Sequence, residues 1–132
     1  MSETISILVV DDNPDMANVM ADILDAKGFK VHAAISGTEA LEIMRDHPVD
    51  ILLTDVKMSG MNGLELYRET RKPYPRLITI FMTAYSADDL IQQGMKEGIK
   101  TVLTKPVDIK FLLLLFSAHK RLKTEAGRMA AK

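Results

Sequence analysis

Five short apolar runs punctuate this chain, at residues 5–10, 29–35, 51–55, 77–82 and 101–103. Each is followed by residues that start a helix or repeat at helical spacing. A run that is nearly all apolar, as four of these are, suits a parallel strand covered on both faces. Strand and helix therefore alternate five times, which is the pattern of a parallel sheet with helices packed on both sides. Right-handed crossovers reduce the possible topologies to a few.

The helix signals agree with this reading. Asn13 is a good N-cap and Pro14 fits a first helical turn. Met16, Val19, Met20, Ile23 and Leu24 then recur at helical spacing, and Gly28 ends the helix. The second strand carries Lys30 and His32 and is expected to be less buried than the first. Ser36-Gly37 leads into a helix bearing Ala40, Leu41 and Met44, which stops near His47-Pro48. The loop after the third run contains Gly60 and Gly63, which make it conformationally permissive. A third helix is expected over 64–71, broken by Pro73 and Pro75, and Ser86 is placed to cap a fourth, closed by Gly98. The last helix begins at Asp108 and is expected to end near Lys123. The fold expected is α/β, a (βα)5 flavodoxin-like three-layer sandwich with strand order 2-1-3-4-5. One domain spans residues 1–124, and residues 125–132 form a frayed tail.

Composition narrows the function. A chain of 132 residues fits one core. A net charge of −1 gives no global electrostatic case for nucleic acid. Cys is absent, so disulfides, Cys-based metal sites and Cys nucleophiles are excluded. The first residues, Met1-Ser2-Glu3-Thr4, lack the basic and apolar regions of a signal peptide. The longest all-apolar run, residues 111–116, is far short of the roughly 20 residues that span a bilayer. No membrane contact and a cytoplasmic location are expected.

Ligands of open parallel sheets bind at the carboxyl ends of the strands. There the first run supplies Asp11 and Asp12, the third Asp55, the fourth Thr83 and the fifth Lys105. In the expected order, strands 1, 3, 4 and 5 are neighbours about 4.8 Å apart, so these groups can converge around Asp55. Each has a bland reading alone: a turn-initiating Asp55, a capping Asp11-Asp12 or Thr83, an exposed Lys105. Their recurrence at consecutive strand ends favours one pocket. Three carboxylates repel unless a cation is present. Oxygen-only ligation favours a hard ion such as Mg²⁺. An ammonium and a hydroxyl beside them suit a phosphoryl group. Asp55, the central carboxylate, is the best nucleophile, since Asp forms aspartyl-phosphates.

These residues resemble a known family, the receiver (phosphoacceptor) domains of bacterial two-component response regulators. The resemblance rests on Leu8-Val9-Val10-Asp11-Asp12, Leu53-Thr54-Asp55, Met61-Asn62-Gly63, Met82-Thr83-Ala84 and Thr104-Lys105-Pro106. It covers about residues 5–122. It implies that Asp55 accepts a phosphoryl group from a sensor histidine kinase or a His phosphotransfer protein. It implies Mg²⁺ ligation by Asp12 directly, by Asp11 largely through water, by Asp55, and by the backbone carbonyl of Lys57. Thr83 and Lys105 would contact the phosphoryl oxygens, with the Ala84 amide assisting, and the peptide before Pro106 would be cis. Thr83 would act as the conformational switch. Two positions depart from the family pattern. Ser59 stands where Pro is usual, and Val102 where an aromatic usually swings inward as Thr83 moves, so the aromatic half of the switch is missing.

Other functions fit less well. A Mg²⁺-dependent phosphatase with an aspartyl nucleophile commonly carries Asp-x-Asp after its first strand, and here the strand ends Asp11-Asp12. A flavin-binding domain needs a phosphate loop that Asp11-Asp12-Asn13-Pro14 would repel. A receiver that only docks would not need every key residue. Signalling, not turnover of a substrate, is expected, with an unknown downstream effector. Lys57 and Tyr85 flank the site two residues beyond Asp55 and Thr83 and are expected to slow self-dephosphorylation. In the last helix, Ile109, Leu112, Leu113 and Phe116 form a core face, while Phe111, Leu114, Leu115 and Ala118 form a second stripe about 200° around. A homodimer through that stripe is expected.

Overall fold

The structure, a computed structural model, describes residues 4–84 and 89–130, with side chains as far as His119. The elements in chain order are β1 (Ser6–Val10), α1 (Pro14–Ala26), β2 (Lys30–Ala34), α2 (Gly37–Asp46), β3 (Ile51–Asp55), α3 (Gly63–Arg71), β4 (Ile78–Thr83), α4 (Asp89–Glu97), β5 (Thr101–Thr104) and α5 (Ile109–Ala130). The strands form one parallel sheet in the order β2-β1-β3-β4-β5.

Alternate strand residues face opposite layers, because successive Cβ atoms leave a strand on opposite sides. On one face Ile7, Val9, Ile51, Leu53, Ile80, Met82 and Leu103 pack with Leu24 of α1 and with Leu112 and Phe116 of α5. On the other, Leu8, Val10 and Leu52 meet Ala40 and Met44 of α2 and Leu66 of α3. Phe81 continues that face under α4, with Val56, Leu64, Ile91 and Ile99. Full burial of each large side chain stabilises the fold by about 1.5–3 kcal/mol relative to exposure, so the centre of the sheet is its most strongly fixed part. The edge strand β2 is only partly buried over residues 30–33, as Lys30 and His32 suggest.

Local chemistry sets the helix ends. The Asn13 side chain accepts the amides of Asp15 and Met16, and the Ser36 hydroxyl accepts that of Glu39. Asn62 and Glu65 form a reciprocal capping box at the start of α3. Asp108 Oδ1 accepts the amides of Lys110 and Phe111 as α5 begins. Gly28 and Gly98 leave their helices at φ 96° and 123°, values that L side chains resist.

Three expectations are corrected. In α1 the fully buried positions are Ala17 and Leu24, with Met20 packed against the core, whereas Met16 and Val19 are exposed. Met20 and Leu24 of the expected stripe do face the core, and Ala17 rather than Met16 is buried in the turn before them. Helix α5 runs to Ala130, past Lys123 and through most of the segment expected to fray. Its sequence there has one poor helix former, Gly127, and no Pro. Leu115 does not point away from the core but packs partly buried against it. It lies three residues after fully buried Leu112 and so shares its face. Phe111 and Leu114 are exposed, at 47% and 68%. The expected cap Ser86 lies outside the described residues.

Candidate functional site at the carboxyl edge of the sheet

The register aligns the strand ends in a row. Val10 pairs with Thr54, so Asp11 and Asp55 follow side by side. Asp55 pairs with Met82, and Thr83 with Thr104, which places Lys105 next to the end of β4. The Lys105 amide donates to the Thr83 carbonyl at 2.7 Å and fixes that end of β5. The Lys105-Pro106 peptide is cis.

The side chains converge as the sequence suggests. Lys105 Nζ donates to Asp11 Oδ2 at 2.8 Å and to Asp55 Oδ2 at 3.2 Å. Asp11 is buried, and its Oδ1 accepts the Asn13 amide at 3.0 Å. Asp55 Oδ1 accepts the Val56 amide at 2.8 Å. Asp12 is exposed, and its Oδ2 accepts the Ser59 amide at 3.3 Å. One carboxylate oxygen from each of Asp11, Asp12 and Asp55 lies within 4.8 Å of the others.

The charges do not balance: three carboxylates face one ammonium. Burial pushes the Asp55 carboxyl above the usual carboxylate range, and the charge of Asp11 adds to this. The Lys105 ammonium and the Val56 amide oppose the rise without cancelling it. Burial alone would lower the Lys105 pKa, but Asp11 and Asp55 outweigh it and hold the ammonium charged. A second cation among these oxygens would relieve the remaining repulsion. The donor set, three carboxylate oxygens within 4.8 Å of one another, fits a hard divalent ion such as Mg²⁺.

Thr83 is buried at the end of β4, and Ala84 follows it exposed. Lys57 is exposed two residues beyond Asp55. Tyr85 lies outside the described residues. Val102 is half-buried and pairs in register with Phe81, which is fully buried. The aromatic volume of this layer therefore stands on β4 rather than β5.

The structure adds residues that the sequence reading left without a role at the site. Gly63 is one: a Cβ there would come 2.5 Å from the Asp55 carbonyl oxygen, and its amide donates to the Val56 carbonyl at 2.8 Å. The loop therefore passes directly behind the central carboxylate, and glycine is required for closeness rather than flexibility. The amides of Asn13, Val56 and Ser59 are the others. Main-chain donors leave no trace in residue identity, so only Gly63 had a signal, its place in Met61-Asn62-Gly63.

Comparison with known proteins follows the same lines. The chain matches the response regulator receiver domain family over residues 7–116. It is 42% identical over 106 residues to a response regulator receiver protein of Anaeromyxobacter sp., covering 80% of this chain and 44% of that one. The chain thus spans less than half the length of that relative. It is 32% identical over 103 residues to sporulation initiation phosphotransferase F of Bacillus subtilis, covering 78% and 83% of the two chains. Among solved structures, a response regulator receiver domain protein from Clostridium thermocellum superposes with a TM-score of 0.83 at 30% identity, covering 92% of this chain and 98% of that one. With most of its length matched, the chain belongs to the response regulator receiver domains, which carry phosphorylation signals in two-component systems.

Proposed function

We propose that Asp55 is the phosphoacceptor of this receiver domain and that a histidine-borne phosphoryl group, from a sensor kinase or a His phosphotransfer protein, is its source. The observation that carries this reading is the Lys105 ammonium bridging Asp11 and Asp55 beside a third carboxylate. A carboxylate oxygen of Asp55 forms the new O–P bond as the N–P bond of the phosphohistidine breaks. Asp11, Asp12, Asp55 and the Lys57 carbonyl would hold Mg²⁺, which supplies charge neutralisation for the equatorial phosphoryl oxygens. Lys105 swings from its two carboxylates to a phosphoryl oxygen. Thr83 and the Ala84 amide donate to others, and the movement of Thr83 carries the signal outward. Lys57, exposed two residues beyond Asp55, restricts the in-line approach of water and slows self-dephosphorylation.

Acetyl phosphate with Mg²⁺ should add one phosphoryl mass to the protein, and Asp55→Asn should remove that gain. An Asp55→Asn chain that acquires the same base-labile group at the same rate overturns the assignment.

Exposed Phe111 and Leu114 support a second element, a two-fold dimer through α5 with Leu115 at its margin. Light scattering should show concentration-dependent association that Phe111→Glu abolishes; a monomer at high micromolar concentration in both phosphorylation states refutes it. Among the described residues no helix is long and apolar enough to cross a membrane. We place the protein in the cytoplasm with its phosphodonor.

A further inference from the structure

The loop between β3 and α3 does more than connect them. It leaves β3 at Asp55, passes Lys57, and returns at Ser59 to the other side of the carboxylate trio. There the Ser59 amide donates to Asp12 Oδ2 at 3.3 Å. Asp12 is the exposed member of the trio. Asp11 is held by Asn13 and Lys105, and Asp55 by Val56 and Lys105. Lys105 donates to Asp11 and Asp55 and not to Asp12, so the hydrogen bonds that orient the other two do not orient it. An exposed carboxylate free to rotate must be ordered when an ion binds, and that ordering weakens binding. A donor fixed to one oxygen lowers this cost and leaves the other oxygen for the ion, as partners of metal-bound carboxylates commonly do.

We infer that the main-chain N–H of Ser59 is a positioning group for divalent-cation binding, acting by orienting Asp12. The inference rests on the proposed metal-binding role of the trio. What matters at position 59 is the amide rather than the hydroxyl, so the departure from Pro noted in the sequence has a physical consequence: Pro has no N–H. Gly60 follows at φ 73°, a value that the third residue of a type II turn also takes. The serine at position 59 brings a main-chain donor that Pro lacks.

Calorimetric titration of the unphosphorylated protein with MgCl2 tests this. Ser59→Ala keeps the amide and should bind Mg²⁺ as the wild type does, whereas Ser59→Pro should bind about tenfold more weakly. Equal affinities of Ser59→Pro and wild type overturn the inference, as does an equal loss in Ser59→Ala. A wild-type chain that takes up no Mg²⁺ overturns the reading beneath it as well. Should Ser59→Pro not fold, the amide itself decides: the Ser59 proton resonance should move upfield in Asp12→Ala, and an unmoved resonance overturns the inference.

Discussion

Two charged clusters lie on this domain, built from similar groups and arranged in opposite senses. At the carboxyl edge, one ammonium, Lys105, pairs with two of three clustered carboxylates. Between α3 and α4, one carboxylate, Glu97, is shared by two cations and an amide: Arg68 donates from Nε at 2.8 Å and from Nη2, Arg71 Nη2 lies 3.6 Å away, and Gln93 Nε2 donates at 2.8 Å. The Tyr67 hydroxyl and Arg71 Nη1 add bonds to the Glu97 carbonyl. The pKa values follow. Burial holds the Asp55 carboxyl above its ordinary range. The Arg68 and Gln93 hydrogen bonds pull Glu97 down to about 2. A satisfied cluster ties helices together. An unsatisfied one keeps electrostatic free energy in reserve that a cation can release, and such perturbed carboxylates gather at functional sites. The difference lies in where each sits. The Glu97 cluster bridges two helices at the surface, where long side chains choose their partners. The Asp55 cluster is imposed by strand register.

The sharpest way to break this contrast is to remove the Lys105 ammonium from the unbalanced cluster. Lys105→Met leaves Asp11 and Asp55 facing each other without the ammonium that pairs them and, in the proposed reaction, removes a donor to the phosphoryl group. Phosphorylation by acetyl phosphate should slow by about 10²–10³-fold, followed as intact mass against time. A rate close to wild type would show that Lys105 serves the fold rather than the chemistry.

A smaller effect, of opposite sign, should come from removing the central charge. The folded-state pKa of Asp55 is raised, so between the ordinary carboxylate value and the raised one the folded state binds more protons than the unfolded state. Stability is therefore lost as pH rises through that window. With Mg²⁺ chelated at neutral pH, Asp55→Asn should raise Tm by roughly a few degrees, and the advantage should shrink towards acid. Calorimetric melts across pH measure it; a lower Tm for Asp55→Asn at neutral pH would mean that the Lys105 pairing outweighs the repulsion.

The smallest effect belongs to the satisfied cluster. The folded-state pKa of Glu97 is lowered, so its contribution is fully present above the unfolded carboxylate value and fades as pH falls towards about 2. Glu97→Gln should lower Tm only slightly at neutral pH, less in high salt, and leave phosphorylation of Asp55 unchanged. A changed phosphorylation rate would show that the two clusters are coupled through α4.

Much of this architecture is written in local chemistry. Asn13, Ser36 and Asp108 announce helix starts because their side chains satisfy amides that a helix leaves open. The apolar runs announce buried strands, and the residues closing them, Asp11, Asp55, Thr83 and Lys105, announce the site, because parallel strands all end on the same edge. The reading of α1 placed Met20 and Leu24 correctly but included exposed Met16 and Val19 and left out buried Ala17, since periodicity alone does not mark the margin of an apolar stripe and packing against the sheet does. The reading of Leu115 failed for a related reason: two apolar stripes on α5 share a margin, and the sheet decides which margin it covers.

The sequence by itself determined the alternation of strands and helices, and through it which side chains meet, because hydrophobic period and capping act over a few residues. Tertiary structure decided how they meet. That Lys105 spans Asp11 and Asp55, that Gly63 must give way to the Asp55 carbonyl, and that a main-chain amide at Ser59 holds Asp12 depend on register and loop path. Those are set by long-range packing and by backbone groups that every residue except proline carries alike.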